Sequence, residues 1–254
     1  MARCRTTLDI ASPFVGTALC DLLANTATST RITLLTRTRL VDFASGASNI
    51  AAVATLAGRN VAVLGLDRLH AKVYAFDDQS ALVTSANATF SRLRKNAECG
   101  IAVNDSKIVK ELAAKIRSGF SVSPAPTLWS EAQLRSLMPS VERLKSRLPT
   151  RAQIRILEGE EPETLELPAS EAEELLPATA GWTQLVFQGL IHLGRLEFTT
   201  DEALHACASE IARRYPENRH PREKVRQQLQ ILRDLGLVHF LTPGHYLMAI
   251  AITP

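Results

Sequence analysis

LHAKVYAFDDQSALVTSANATFSRLRKNAECGI, residues 69 to 101, contains three runs in which apolar and polar residues alternate. The runs Leu69 to Phe76, Ala81 to Ser85 and Ala97 to Val103 therefore predict three short strands. Residues two apart on a strand share a face, so His70 and Lys72 point the same way, as do Ser85 and Asn87 if strand geometry reaches Asn87. Neighbouring strands then converge an imidazole, an ammonium, a hydroxyl and an amide. That set suits a phosphate: the cation and amide hold non-bridging oxygens, and an imidazole can give and take a proton near neutral pH.

Upstream of this stretch, residues 6 to 15 read as a strand ended by Ser12-Pro13, Gly16 to Asn25 as a helix, Arg31 to Thr36 as a strand, Ser45 to Ala57 as a helix and Asn60 to Gly65 as a strand. Downstream, Asp105 to Phe120 has Ile108, Leu112, Ile116 and Phe120 on one helical face and closes a first domain near Ser123. Strands alternating with helices predict an α/β domain with a mainly parallel or mixed central sheet.

The motif HxKxxxxD of His70, Lys72 and Asp77, followed by Ser85 and Asn87 in SxN and by Glu98, resembles the single catalytic motif of the phospholipase D superfamily of phosphodiesterases. The family usually has Gly-Ser where this chain has Thr84-Ser85, a departure that removes no chemical group. The resemblance implies an α/β/α sandwich over residues 1–123 and a two-step mechanism needing neither metal nor cofactor. One His70 attacks phosphorus, a second histidine protonates the leaving oxygen, and water resolves the phosphohistidine. Lys72 and Asn87 stabilise the equatorial oxygens, Ser85 supports them, and Glu98 is placed to orient the His70 ring. Asp77 falls on the opposite strand parity from His70, which gives it a structural or dimer-contact role. His192, His205, His220, His239 and His245 lack a following HxK pattern, so a homodimer must pair two copies of residues 69 to 101.

The 254 residues are 46% hydrophobic and 22% charged, ordinary for a soluble protein of one large or two medium domains. No apolar run approaches the ~20 residues that span a bilayer. MARCRTTLD lacks the apolar core of a secretory signal, so no membrane partner and a cytoplasmic location are expected. Cys4, Cys20, Cys99 and Cys207 are irregularly spaced, which indicates neither a zinc site nor a disulfide framework. Residues 1 to 124 carry 15 Lys+Arg against 9 Asp+Glu, residues 125 to 180 carry 6 against 10, and residues 181 to 254 carry 8 against 7. Residues 124–180 read as a linker with a helical segment over Trp129 to Leu148, followed by Glu158, Glu160, Glu161, Glu163, Glu166, Glu171, Glu173 and Glu174. This acidic strip is either a solvated linker or a mimic of phosphate charge that occupies the basic groove of the first domain.

Residues 181–254 predict three helices and a hairpin. The first helix is Trp182 to Leu193; a capping box from Thr199 to Glu202 opens the second; and Pro221 sits in the first turn of the third, which runs to Leu235. Leu237 to Leu241 and His245 to Ile250 then form strands about Thr242-Pro-Gly-His245. This is the layout of a winged helix, whose third helix reads the major groove. Asn218, Arg219, the RQQLQ run at 226 to 230, LRDLG at 232 to 236 and Gly244-His-Tyr246 resemble the C-terminal winged-helix module of the Dam-replacing protein family. That module occurs in type II restriction enzymes directed to GATC sites methylated on adenine. The resemblance implies double-stranded DNA as partner. Its reading set is Asn218, Arg219, Arg222, Lys224, Arg226, Gln227, Gln230 and His245, with Trp182 and Tyr246 as candidates for a methyl pocket.

A methyl-directed restriction endonuclease is the reading that joins both halves. A phospholipase D-type nuclease without methyl dependence stands beside it. A lipid phosphodiesterase would leave the winged helix unexplained, and a DNA-binding regulator with a retired catalytic fold would leave the intact motif unexplained.

Overall fold

The computed structural model describes residues 4–24, 29–59, 61–89, 97–121, 125–147, 165–177 and 180–253. They belong to two compact units, Met1–Thr38 with Gly46–Arg135, and Arg39–Ser45 with Ser136–Pro254.

In the first unit, β1 (Thr7–Ala11), β2 (Arg31–Thr36) and β3 (Val61–Gly65) run parallel. Helix α1 (Thr17–Ala24) follows β1. Between β2 and β3 come α2 (Leu40–Ala44), which belongs to the second unit, and α3 (Ile50–Ala57). Antiparallel strands β4 (Val73–Phe76), β5 (Ser80–Thr84) and β6 (Gly100–Val103) extend the sheet from β1. At the far edge β7 (Thr127–Trp129) pairs antiparallel with β3, giving the order β6-β5-β4-β1-β2-β3-β7. The sheet thus takes in a strand beyond Ser123. Trp129 is buried there beside Gly65, where a Cβ would lie 2.5 Å from the indole Nε1, so this close approach requires glycine.

Helix α4 (Ser106–Arg117) is capped by Asp105, whose side chain accepts the Lys107 and Ile108 amides, and covers one sheet face. Its Ile116 packs on Ala11, Leu35, Leu66, Leu69 and Val73, and its Val109 and Ala113 pack on Ala75 and Ala81. Alternation along β1 sends Leu8 and Ile10 to the opposite face, the side left to α1 and α3, which pack on each other. The buried Asp9 shares the α4 face, with its carboxylate 3.5 Å from the Arg117 guanidinium. Burial pushes the Asp9 carboxyl up, against the Thr33 hydroxyl and Arg117, which favour its charged form.

Helix α5 (Glu131–Ser136) precedes α6 (Met138–Arg147), against which α2 packs in the second unit. The α2 segment is held by a Leu40 amide donation to the Leu235 carbonyl at 2.9 Å and by a buried Arg39–Asp42 ion pair at 3.0 Å. Strand β8 (Leu165–Pro168) and α7 (Ala169–Glu173) follow. Glu158, Glu160, Glu161 and Glu163 lie outside the described residues. The later half of the acidic stretch is folded into the second unit: Glu171 pairs with Arg147 at 2.8 Å, and Glu173 lies 3.6 Å from His192.

Three helices then pack together, α8 (Trp182–Leu193), α9 (Thr200–Arg214) and α10 (Pro221–Asp234). The predicted capping box is formed by Thr199 and Glu202, and Pro221 occupies the first turn of α10. Strands β9 (Glu197–Thr199), β10 (Val238–Thr242) and β11 (His245–Met248) make a sheet of order β10-β11-β9, and β12 (Ile250–Thr253) pairs parallel with β8. Helices followed by a hairpin are the winged-helix arrangement expected from the sequence. Among the described residues no helix is long and apolar enough to cross a membrane.

Helices α8 and α9 meet closely at Gly189, where a Cβ would lie 2.4 Å from the Cys207 sulfur. Gly189→Ala should therefore destabilise this unit by about 1–3 kcal/mol despite the better helix propensity of alanine, and adding Cys207→Ala should recover part of the loss. Chemical denaturation of the single and double variants measures both.

Candidate active site and nucleic-acid interface

Of the predicted catalytic residues, all but Asp77 lie at one end of the sheet, because three antiparallel strands begin or end there. The ladder of β4 starts at Val73, so His70 and Lys72 lie just before the strand rather than on it. Alternation nevertheless persists: Leu69, Ala71 and Val73 all pack on the cluster under α4, which leaves His70 and Lys72 for the other side. The Thr84 amide donates to the Lys72 carbonyl at 3.0 Å, and the Ser85 amide to the Cys99 carbonyl at 2.9 Å. These bonds set the 70–72, 85–87 and 98–99 segments side by side. The Ala88 amide donates to the Ser12 hydroxyl at 2.9 Å, tying the loop after Asn87 to the end of β1.

His70 is exposed, and the Lys72 ammonium donates to the His70 carbonyl at 3.0 Å. The Ser85 hydroxyl donates to Glu98 Oε2 and accepts the Cys99 amide at 3.1 Å. Glu98 thus engages Ser85, where the sequence reading aimed it at the His70 ring; that partner is set by the β5–β6 pairing. Asn87 is buried, and among the described residues its Oδ1 has no hydrogen-bond partner. A buried polar atom left unpaired costs about 1–3 kcal/mol, so this carboxamide is one that a ligand at the site can satisfy.

Asp77 stands apart from the other motif residues. It lies at the other end of β4, five residues and roughly 16 Å along the strand from Lys72. With φ of 53° it turns its carboxylate back onto the entry to β1. Oδ1 accepts the amides of Thr6 at 2.7 Å and Thr7 at 3.0 Å and the Thr6 hydroxyl at 2.8 Å, while Oδ2 accepts the Arg5 amide at 2.9 Å. Burial pushes this carboxyl up, but the Thr7, Thr6 and Arg5 amides and the Thr6 hydroxyl outweigh it and hold it well below the usual carboxylate range. Asp77 therefore anchors β1.

On the winged helix, the outer face of α10 borders a polar hollow of about 510 Å³. Five of the predicted reading residues line it: Asn218, Lys224, Arg226, Gln227 and Gln230. His220 and Glu223 line it too and were missed, although Glu223, Arg226, Gln227 and Gln230 share the i, i+3, i+4, i+7 spacing of one helical stripe. Arg219 is exposed outside this lining, as is His245 at the start of β11. Arg222 is bound back to the Asp201 carboxylate on α9, so its fork is engaged within the unit.

The two aromatic candidates separate. The Tyr246 ring is buried, 5.5 Å from the Phe198 ring and 5.4 Å from that of Phe240, and is core rather than pocket because β11 is the central strand of its sheet. Trp182 is half-buried and stacks on Tyr215 with centroids 4.2 Å apart, while the Lys224 ammonium lies 6.0 Å from its ring. Tyr215 had no signal in the sequence, since the contact joins the loop before α10 to the start of α8.

Residues 1–119 match the family model described as "Cardiolipin synthase, PLD-like domain", and residues 178–247 match that described as "Dam-replacing HTH domain". The chain therefore carries a phospholipase D-like domain followed by a Dam-replacing-type winged-helix domain. Among solved structures, similarity is found to Nuc of Salmonella typhimurium, a phospholipase D family member, at 16% identity over 50% of this chain and 84% of that one, with a TM-score of 0.43. NucT from Helicobacter pylori is similar at 15% identity over the same shares of the two chains, with a TM-score of 0.39.

The Asp77 anchor is testable. Its carboxyl lies below the ordinary range when folded, so it stabilises at neutral pH and the contribution fades as pH falls through that range toward the folded value. Asp77→Asn should cost about 1–3 kcal/mol at pH 7, with the gap to wild type narrowing below about pH 4 in urea denaturation.

Proposed function

We propose that this chain is a restriction endonuclease that hydrolyses DNA phosphodiester bonds through a phosphohistidine on His70 and is directed by its winged helix to adenine-methylated GATC sites. The observation that carries this reading is the convergence of His70, Lys72, Ser85, Asn87 and Glu98 at one sheet end, in a chain whose second unit presents a polar face on α10. In the first step a His70 ring nitrogen bonds to phosphorus as the P–O bond to the leaving strand breaks. The His70 imidazolium of a second copy gives its proton to that oxygen; water then attacks phosphorus with the second imidazole as base, and the P–N bond breaks to free the first His70. Lys72 and the Asn87 amide bear the charge that develops on the equatorial oxygens, so no metal is required. The Ser85–Glu98 bond fixes the hydroxyl beside them.

The homodimer follows from the single HxK motif. Leu82, exposed on β5 and paired with Tyr74, lies on the sheet face to which Lys72 turns and supports a surface that a second copy covers. A restriction role places the protein in the cytoplasm, with the DNA it cuts.

Cleavage of methylated plasmid should persist in excess chelator, and His70→Ala should abolish it while leaving binding within a few-fold. Strict magnesium dependence, or residual turnover above about a thousandth of wild type, would defeat the proposed chemistry. For the reading unit, titration at fixed salt should rank fully methylated GATC duplex above hemimethylated, with the unmethylated duplex bound little better than random DNA. Each methyl contact is worth about 1–3 kcal/mol. Equal affinities would remove methyl direction and leave an ordinary nuclease.

A further inference from the structure

The hollow on α10 holds one carboxylate among its cations and amides, that of Glu223. A phosphate-binding surface gains nothing from a carboxylate, which repels the DNA backbone. In the first turn of a helix an acidic residue ordinarily has one of two local tasks: it complements the helix dipole, or it closes a capping box on the N-cap amide. The second task is already taken, because the His220 amide at the N-cap donates to the Asn218 side chain at 2.8 Å. Glu223 is exposed, and among the described residues it has neither an ion pair nor a side-chain hydrogen bond, although Arg226 follows one turn later on the same stripe. A carboxylate and a guanidinium held this close without pairing offer an acceptor and a donor fork side by side.

In the major groove a guanine presents two acceptors matched by an arginine fork, and the cytosine paired with it presents the N4 amino donor matched by a carboxylate. We infer that Glu223 is a specificity-determining residue that accepts the N4–H of a cytosine whose paired guanine is read by Arg226, so that one G·C pair is checked on both strands. The assignment rests on α10 as the recognition helix. It also gives Glu223 a second effect, since its charge weakens binding wherever no cytosine amino group meets it.

The test begins with selection of binding sites by the full-length protein from randomised duplexes, made with adenine and with N6-methyladenine. Each cytosine of the selected site is then replaced in turn by N4-methylcytosine, which keeps the paired guanine but fills the groove-facing N4–H direction. At one cytosine this replacement should weaken wild type roughly tenfold and leave Glu223→Ala unaffected. Glu223→Gln, which retains an acceptor oxygen, should keep part of the penalty. If Glu223→Ala binds every duplex more tightly but pays the same N4-methyl penalty as wild type, the residue only repels phosphate and the inference falls. If N4-methylation weakens wild type at no cytosine, it falls as well. A wild-type selection without any consensus would instead overturn α10 as the recognition helix, and this inference with it.

Discussion

Two backbone hydrogen bonds organise the candidate site of the first unit, Thr84 to Lys72 and Ser85 to Cys99. They continue the β4–β5–β6 ladder just past its regular ends, where side chains cease to be committed to the core and turn toward solvent. A shift of register by one residue would place Leu69 and Ala71 where His70 and Lys72 now stand, at the cost of the cluster under α4. Burial of those apolar residues therefore orients the polar ones, and the site takes its precision from the core beneath it.

Charge is handled differently in the two units. In the first, the Asp9 carboxylate is buried opposite Arg117, which also lies 3.7 Å from Asp78. In the second, Arg39 with Asp42 and Arg233 with Asp234 are nearly dry pairs that satisfy one another's hydrogen bonds. Such pairs add little net stability over an apolar core, yet removing one partner strands the other. Their bonds are directional, so they hold α2 and the end of α10 in one geometry.

Much of the fold was legible because its signals are local. Alternation marked β2 and β4, helical spacing marked α4 and α8, and the capping box and Pro221 marked the starts of α9 and α10. Local signals also placed the side of the sheet on which His70 and Lys72 lie. What escaped depends on contacts between residues far apart in sequence. The preference of Glu98 for Ser85, the anchoring of residues 5–7 by Asp77, the stacking of Tyr215 on Trp182 and the engagement of Arg222 by Asp201 each join separate elements. The five-residue α2 is too short to carry a readable period, and nothing in its composition says which unit it joins. Glu223 is the exception, a local signal passed over because positive charge drew attention on that face.

The membership of α2 in the second unit bears on how the protein is made. Translation delivers Arg39–Ser45 roughly ninety residues before the rest of its unit begins at Ser136, and ribosomes add only about 5–20 residues per second. For several seconds the apolar side of Leu40 and Phe43 therefore lacks the partners in its own unit that bury it. The same discontinuity argues against cutting the gene at the linker: a fragment beginning at Ser136 would lack the Leu40–Leu235 bond and expose the surface that α2 protects.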